Sequence, residues 1–232
     1  MTPNPFEQRP KREAGAVNLR PKDAATLLLV DRSGSSARVL VGRRGGGHVF
    51  MPDLFVFPGG RRDRTDSALP FDTDLHPEVL DRLASAGDAA SVRRARGIAM
   101  AAVRELHEET GLTIGRLEPC EPSSRLCASL SSLRYVARAI TPPGNVRRFD
   151  TRFFLTFVDE VGVDPASVRS SDELQDLQWV DMDAATALKM PPITRTILDD
   201  VKKLMSADPS LPFGSAGPFY YLRHGRLQRG SI

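Results

Sequence analysis

Residues 104–112 of the chain are Arg104-Glu105-Leu106-His107-Glu108-Glu109-Thr110-Gly111-Leu112. The three glutamates of this stretch stand at i, i+3 and i+4, so a helix would carry them on one face. Like charges at this spacing repel one another, which indicates a positive partner such as a metal ion. Glutamate-rich helices are also common on solvated surfaces, and on the charge pattern alone that plainer interpretation stays open.

This stretch ends the clearest helix in the sequence. Apolar residues recur at helical spacing between residues 89 and 110, at Ile98, Ala102, Val103 and Leu106. Gly111 follows at the position where helices commonly end on a glycine. The spacing therefore predicts a helix over residues 89–110.

Strands are predicted on both sides of this helix, at residues 24–30, 37–44, 54–57, 134–140, 151–158 and 177–180. Pro58-Gly59-Gly60 is expected to stop the third strand with a turn. A short helix is expected at 77–85 and a closing helix at 192–205. Strands, a central helix, more strands and a last helix are typical of a layered α/β or α+β domain.

The composition fits one domain without a membrane or nucleic-acid partner. The 232 residues are 41% hydrophobic, enough for a single core over residues 23–232 after a flexible lead-in at 1–22. A net charge of +3 does not call for nucleic acid, and no apolar run is long enough to span a membrane. Cys120 and Cys127 form no metal-binding pair, so both are expected to be ordinary thiols in a cytoplasmic protein.

Residues 104–112 resemble the second half of the Nudix box. That signature is a glycine, five residues, a glutamate, seven residues, then Arg-Glu-apolar-any-Glu-Glu-any-Gly-apolar. For the first half, Gly60 supplies the starting glycine and Asp66 falls where the glutamate belongs. Residues 67–103 separate the two halves, far more than the usual seven, so an insertion at about residues 67–96 interrupts the box.

The resemblance implies an α/β/α sandwich with a mixed central sheet and an insertion in the motif loop. It implies a hydrolase that cuts a diphosphate linkage with Mg²⁺ or Mn²⁺, ions that carboxylate oxygens suit. The implied metal ligands and catalytic carboxylates are Glu105, Glu108 and Glu109. Arg104 is implied to orient them by a salt bridge, and Gly60 to offer its backbone carbonyl as a ligand.

Three further residues are candidates for the site. Glu173 is the candidate for an additional carboxylate from a later loop, with a plain surface acid as the equal alternative. Arg43 and Arg44 close a strand that leads towards Gly60, so they are candidates for binding substrate phosphates, although an exposed strand end explains them equally well. His48 and His107 are assigned no role.

Residues 141–144 and 147–151 are similar to segments of a Nudix subgroup that carries such insertions, the coenzyme A diphosphatases. That similarity implies hydrolysis of coenzyme A or an acyl derivative to 3′,5′-ADP and the 4′-phosphopantetheine product. Alternative substrates are nucleotide sugars, dinucleotides and nucleoside triphosphates. From other classes, a catalytically weak nucleotide-binding regulatory module and an RNA-end-processing factor stay open, as does a homodimer.

The insertion is expected near the mouth of the active site.

Overall fold

A computed structural model describes residues 19–45, 53–84, 86–120 and 123–232. Most of the predicted flexible lead-in and His48 lie outside these residues. The helices are α1 (Pro77–Leu83), α2 (Ala89–Thr110), α3 (Val158–Val161) and α4 (Pro192–Ala207). The strands are β1 (Lys22–Asp31), β2 (Arg38–Arg44), β3 (Phe55–Val56), β4 (Gly59–Arg61), β5 (Phe71–Thr73), β6 (Gly115–Cys120), β7 (Ser123–Ser129), β8 (Arg134–Ile140), β9 (Phe149–Phe157), β10 (Leu174–Asp181), β11 (Pro218–Arg223) and β12 (Arg226–Ser231).

The central sheet is mixed. Its strand order is β10-β2-β1-β9-β8-β11-β12, with β3 paired to β2 and β4 paired to β1. The β1–β9 and β8–β11 pairs are parallel, and the other pairs are antiparallel. Strands β5, β7 and β6 form a second, small sheet.

Helices cover both faces of the central sheet. Leu27 and Leu29 of β1 share one buried cluster with α2 residues such as Leu106. Leu28 and Val30 point to the opposite face and share a second cluster with α4 residues such as Val201. Side chains alternate along a strand, so an apolar run such as Leu27–Val30 fills both cores. The predicted α/β/α layering with a mixed sheet is confirmed.

Strand β1 changes partners along its length, and this change opens the site. Its C-terminal end pairs with β2 through Val30 and Val39, and its N-terminal end pairs with β4 through Ala25 and Gly60. The expected turn at Pro58-Gly59-Gly60 is therefore wrong in part, because Gly59 and Gly60 belong to a strand. A Cβ at Gly59 would meet the carbonyl oxygen of Ala25 at 2.5 Å, so glycine is what permits this close pairing.

The first part of the insertion packs against the C-terminal part of the chain. Arg82 of α1 donates to the carbonyl oxygens of Phe213 and Ile232, at 3.0 and 3.3 Å. The His76 ring stacks on Phe213 with 4.1 Å between centroids. No described residue from 67–96 lines the cavity described below, and the location of this segment near the mouth of the site stays a prediction.

Two smaller expectations concern thiols and membranes. Cys120 and Cys127 both carry free thiols, the first exposed and the second buried, as expected. Among the described helices, none is both long and apolar enough to cross a membrane.

Candidate active site

Helix α2 is fixed at both ends, which sets the position of its glutamates. The Asp88 carboxylate caps the first turn by accepting the Ser91 N–H at 2.7 Å. Gly111 ends the helix with φ 74°, a left-handed conformation in which its N–H bonds to the His107 carbonyl oxygen at 2.9 Å. The buried face between these ends holds the last two turns against the sheet.

A cavity of about 350 Å³ opens beside these last two turns. It lies where β4 replaces β2 as the partner of β1, and the start of α4 closes its far side. Three carboxylates and three arginines line it: Glu105, Glu109, Glu173, Arg44, Arg61 and Arg147. Opposite charges from distant parts of the chain therefore meet in one space.

Glu109 is the most deeply placed of the glutamates, with 8% of its surface exposed. Its Oε2 accepts the backbone N–H of Gly59 at 2.9 Å. Burial raises the pKa of Glu109 to about 8, and the charges of Glu105 and Glu173 act in the same direction. The Gly59 N–H and Arg44 oppose that shift without cancelling it.

Glu105 lies one helical turn before Glu109 and against Gly60. A Cβ at Gly60 would fall on the Glu105 carboxylate, so any other residue here would displace it. Burial raises the pKa of Glu105 to about 7, against the lowering effect of Arg104. Two neighbouring carboxylates thus share a space where negative charge is unfavourable.

Arg104 joins the two halves of the interrupted motif. Its Nε and Nη2 donate to the Asp66 carboxylate at 2.7 and 3.2 Å. Its Nη1 donates to Glu105 at 2.9 Å and to Glu108 at 2.7 Å. Burial would lower the pKa of Arg104, but these carboxylates raise it above its usual range. Asp66, although shorter than glutamate, therefore reaches the arginine.

The structure separates residues that the sequence grouped together. Glu108 does not line the cavity; its side chain is 54% exposed and pairs with Arg104. Arg43 also lies outside the cavity and pairs with Asp176 and Asp53, at 2.7 and 3.2 Å. Successive residues of a strand point to opposite faces, so only Arg44 of the arginine pair reaches the site.

Glu173 and Arg44 are brought together with the buried glutamates. Glu173 precedes β10 and is itself exposed, yet it lines the cavity. Burial lowers the pKa of Arg44, while Glu109, Glu105 and Glu173 oppose that shift. His107 points elsewhere, with its Nδ1 3.0 Å from the Thr113 Oγ1, which agrees with assigning it no role.

Sequence reasoning missed Arg61 and Arg147 as residues of the cavity. Arg147 has no ion pair with any described carboxylate, whereas Arg61 pairs with Asp63 at 2.6 Å. Arg147 belongs to the segment 147–151 that the sequence singled out without naming a ligand. Its neighbours Thr141, Phe149 and Thr151 also line the cavity, so the segment was a usable signal.

The residues present fit a divalent cation at the carboxylate end of the cavity. No three His, Cys, Asp or Glu side chains in the described residues are arranged as a ready cluster. Glu105 and Glu109 nevertheless lie next to each other beside Gly60, with raised pKa values. A cation would favour their charged forms, because it supplies the attraction that burial has removed.

A family model described as the NUDIX domain matches residues 92–201. This range contains most of α2, with all three motif glutamates, and ends within α4. The match to the Nudix domain covers slightly less than half of the chain. The family predicted from residues 104–112 is thereby confirmed.

Known relatives agree with this Nudix assignment. A Caenorhabditis elegans protein named "Putative nudix hydrolase 7" is 28% identical over 190 residues, which are 72% of this chain. The match spans 54% of that protein, so this chain covers about half the length of the curated relative. The crystal structure of a NUDIX hydrolase from Alicyclobacillus acidocaldarius has a TM-score of 0.57 at 23% identity and covers 78% of this chain and 91% of its own. This second likeness supports the Nudix fold.

Proposed function

We propose that this Nudix domain hydrolyses the diphosphate linkage of a nucleoside diphosphate derivative with the help of Mg²⁺ or Mn²⁺. The observation that carries the proposal is the meeting of Glu105, Glu109 and Glu173 with Arg44 in one cavity. Hard carboxylate oxygens suit these ions, and arginines suit phosphate oxygens. The relatives named hydrolases support the same activity.

The proposed metal ligands are Glu105 and Glu109, with the Gly60 carbonyl beside them. Glu108 lies at the solvent edge of the same helix and is the third proposed ligand. When bound, the ion supplies positive charge that offsets the phosphates and lowers the pKa of a bound water. One of the cavity carboxylates accepts the proton of the attacking water, and the bridging phosphorus–oxygen bond breaks to give two phosphate products.

The arginines of the cavity bind and orient the diphosphate. Arg44 reaches the site from β2 and Arg147 from the segment before β9. A guanidinium stays charged even when burial lowers its pKa, and it donates two parallel hydrogen bonds to phosphate. Arg104 acts through the glutamates. It donates to Glu105, and it is itself held in place by Asp66.

Coenzyme A or an acyl-coenzyme A is the favoured substrate, with 3′,5′-ADP and the 4′-phosphopantetheine product as the two halves. The segments 141–144 and 147–151, which suggested this subgroup, contribute residues to the cavity. Nucleotide sugars, dinucleotides and nucleoside triphosphates are the alternatives in the same class. A regulatory module that binds nucleotides without cutting them is the alternative in another class, but the paired buried glutamates favour catalysis.

The test is release of 3′,5′-ADP from coenzyme A, with ADP-ribose and a nucleoside triphosphate assayed in parallel. Each substrate is tested with Mg²⁺, Mn²⁺ or EDTA. We expect cleavage that EDTA abolishes, with coenzyme A cut fastest. Faster cleavage of another substrate would keep the reaction and remove the coenzyme A assignment, and absence of any cleavage would favour the regulatory module.

Variants of the glutamates test the assignment of roles. Glu105→Gln and Glu109→Gln should each lower turnover by orders of magnitude, because each removes a charge from the cavity. The Mn²⁺ affinity of the Glu108→Gln variant shows whether the exposed glutamate helps to bind the metal. Wild-type turnover in the Glu109→Gln variant would contradict the proposed metal site.

A further inference from the structure

Four arginines lie together at one end of the central sheet, on the face that packs against α2. Arg138 of β8 pairs with Arg152 of β9. Arg152 stands two residues before Phe154, which belongs to the buried cluster on the α2 side, so both arginines point to that side. Arg94 of α2 and Arg62, which follows β4, come from other parts of the chain. We call Arg62, Arg94, Arg138 and Arg152 the arginine cluster.

Asp23 is shared by three members of the arginine cluster. Its carboxylate accepts the Arg94 Nη2 at 2.6 Å and the Arg152 Nη1 at 2.9 Å. The Arg62 Nε lies 3.5 Å from it. Burial would raise the pKa of Asp23, but these arginines hold it below its usual range. Asp23 therefore stays charged and supplies one negative charge to the cluster.

The arginine cluster carries more positive charge than its aspartates balance. Asp150 is the second carboxylate, and it accepts the Nε and Nη2 of Arg138 at 2.8 and 2.7 Å. Asp23 and Asp150 are also the carboxylates whose charges act on Arg94. Four guanidiniums thus meet two carboxylates, which leaves two positive charges in excess. An excess of one sign in a partly buried place favours an ion of the opposite sign.

Some donors of the arginine cluster have no acceptor. Arg152 is 6% exposed, and its Nη1 donates to the Asp23 carboxylate and to the Asp150 carbonyl oxygen. Its Nε and Nη2 have no hydrogen-bond partner among the described residues. The buried Nε of Arg62 also lacks one. Unpaired donors on a buried guanidinium cost free energy, so these two arginines indicate an acceptor from outside the chain.

Tyr135 adds a neutral donor beside the arginine cluster. A bulge in β8 turns both Val136 and Ala137 to the α4 side, so Tyr135 and Arg138 share the α2 side. Within the described part of the chain, the Tyr135 hydroxyl has no hydrogen-bond partner. Burial raises the pKa of Tyr135 to about 12, although the charges of Arg152 and Arg138 act to lower it. The hydroxyl therefore stays protonated and can donate to an anion.

We propose that the arginine cluster binds a phosphate dianion, either free phosphate or the phosphate group of a larger molecule. A dianion neutralises the two excess positive charges, whereas a carboxylate neutralises only one. Arg152 offers its Nε and Nη2 side by side, the arrangement in which arginine donates two parallel hydrogen bonds to an oxyanion. The Tyr135 hydroxyl donates to the same anion.

This site is separate from the active-site cavity. The four arginines of the cluster do not line the cavity. Thr151 and Ala139, which are next to Arg152 and Arg138 in the same strands, line it instead, because successive residues of a strand point to opposite faces. The arginine cluster lies behind the wall of the cavity, so its occupation does not depend on the proposed hydrolysis.

The test is calorimetric titration of the whole chain with inorganic phosphate at pH 8. The chain carries Arg44→Ala and Arg147→Ala, which remove phosphate donors from the cavity, and we expect this background to bind phosphate saturably. Adding Arg94→Gln should weaken binding at least about tenfold, because a charged donor is lost. Adding Arg93→Gln, on the exposed neighbour in α2, changes the net charge equally and should alter the affinity less than about twofold.

Parallel titration with glucose 6-phosphate distinguishes the two sources of phosphate. Tighter binding of glucose 6-phosphate would assign the site to the phosphate group of a larger molecule, and tighter binding of inorganic phosphate to the free ion. Absence of saturable phosphate binding in the background protein would overturn the proposal. Equal weakening by Arg94→Gln and Arg93→Gln would do the same, as would acetate binding as tightly as phosphate.

A second variant keeps the proposal testable if Arg94→Gln does not fold. Tyr135→Phe retains the ring and removes only the hydroxyl that lacks a partner. It should weaken phosphate binding about threefold to tenfold, the effect of one neutral hydrogen bond. Unchanged phosphate affinity in both Tyr135→Phe and Arg94→Gln would show that the anion does not bind at the arginine cluster.

Discussion

Asp66 holds Arg104 across the insertion that interrupts the motif. The Arg104 Nε lies 2.7 Å from the Asp66 Oδ1, although the two residues are 38 positions apart in the chain. Asp66 is almost completely buried and also accepts the backbone N–H of Asp63 at 2.7 Å. The pair therefore fixes the loop after β4 to helix α2, and it does so beside the glutamates.

Replacing Asp66 should affect stability and catalysis together. In Asp66→Ala, the buried guanidinium of Arg104 loses its main partner, and we expect a loss of about 3 kcal/mol in the free energy of unfolding. Turnover should fall at least about tenfold, because Glu105 and Glu108 lose their common anchor. Urea denaturation and the diphosphate hydrolysis assay measure the two effects.

Asp63→Ala is the matched control for Asp66. Asp63 pairs with Arg61 through half-exposed side chains, and such surface pairs contribute less than about 1 kcal/mol. Its backbone N–H, which binds Asp66, is unchanged by the substitution. An equal loss of stability in both variants would show that Asp66 has no special role.

The raised pKa values of Glu105 and Glu109, about 7 and about 8, predict how stability depends on pH. Between about pH 5 and pH 8 the folded protein binds more protons at these groups than the unfolded chain, so without metal its stability falls as the pH rises. We expect a loss of at least about 2 kcal/mol, or about 4–8 °C in Tm.

Metal ions should reverse this trend. Mn²⁺ binds the charged carboxylates, so the stabilisation that it gives should grow from pH 5 to pH 8. Thermal melts in EDTA and in Mn²⁺ across this range measure both effects. In a Glu105→Gln/Glu109→Gln double variant, stability should neither fall as the pH rises nor increase on addition of Mn²⁺. If its stability still falls with pH, other groups cause the pH dependence.

The sequence predicted the elements whose pattern is local. Helix α2 could be predicted because its apolar spacing and its C-terminal glycine are both present in residues 89–111. Strand β4 could not, because Gly59 and Gly60 look like a turn until β1 is known to pair with them. The β11–β12 hairpin was missed, although its turn residues His224 and Gly225, both with positive φ, are a recognisable signal.

The sequence predicted only those residues of the candidate site that belong to the motif. Glu105, Glu109 and Gly60 follow from the interrupted signature, and the structure places all three at the cavity. The different positions of Arg43 and Arg44 depend on which face of β2 meets the cavity, which a short strand does not reveal. Arg147 comes from a loop, and only the tertiary fold brings it opposite the glutamates.

Arg44 and Arg147 should contribute to substrate binding, and Arg43 should not. Arg44→Ala and Arg147→Ala each remove a charged donor to phosphate, so we expect KM to rise on the order of tenfold to hundredfold. Arg43→Ala serves as the control, since its guanidinium pairs with Asp176 outside the cavity. Steady-state kinetics on the preferred substrate measure the three variants. A rise in KM for Arg43→Ala as large as that for Arg44→Ala would contradict the separation of the two side chains.

Gly60 should not tolerate even a methyl group. In Gly60→Ala the new Cβ would fall on the Glu105 carboxylate, which Arg104 holds in place, so the carboxylate must move. We expect Mn²⁺ affinity and turnover to fall by at least about tenfold, as for other disturbed metal ligands. Gly34→Ala is the control, because its Cβ would make only an ordinary contact of 3.7 Å with the Ser36 carbonyl oxygen. Calorimetric Mn²⁺ titration separates the two cases, and wild-type affinity in Gly60→Ala would show that the position of Glu105 beside Gly60 does not matter for metal binding.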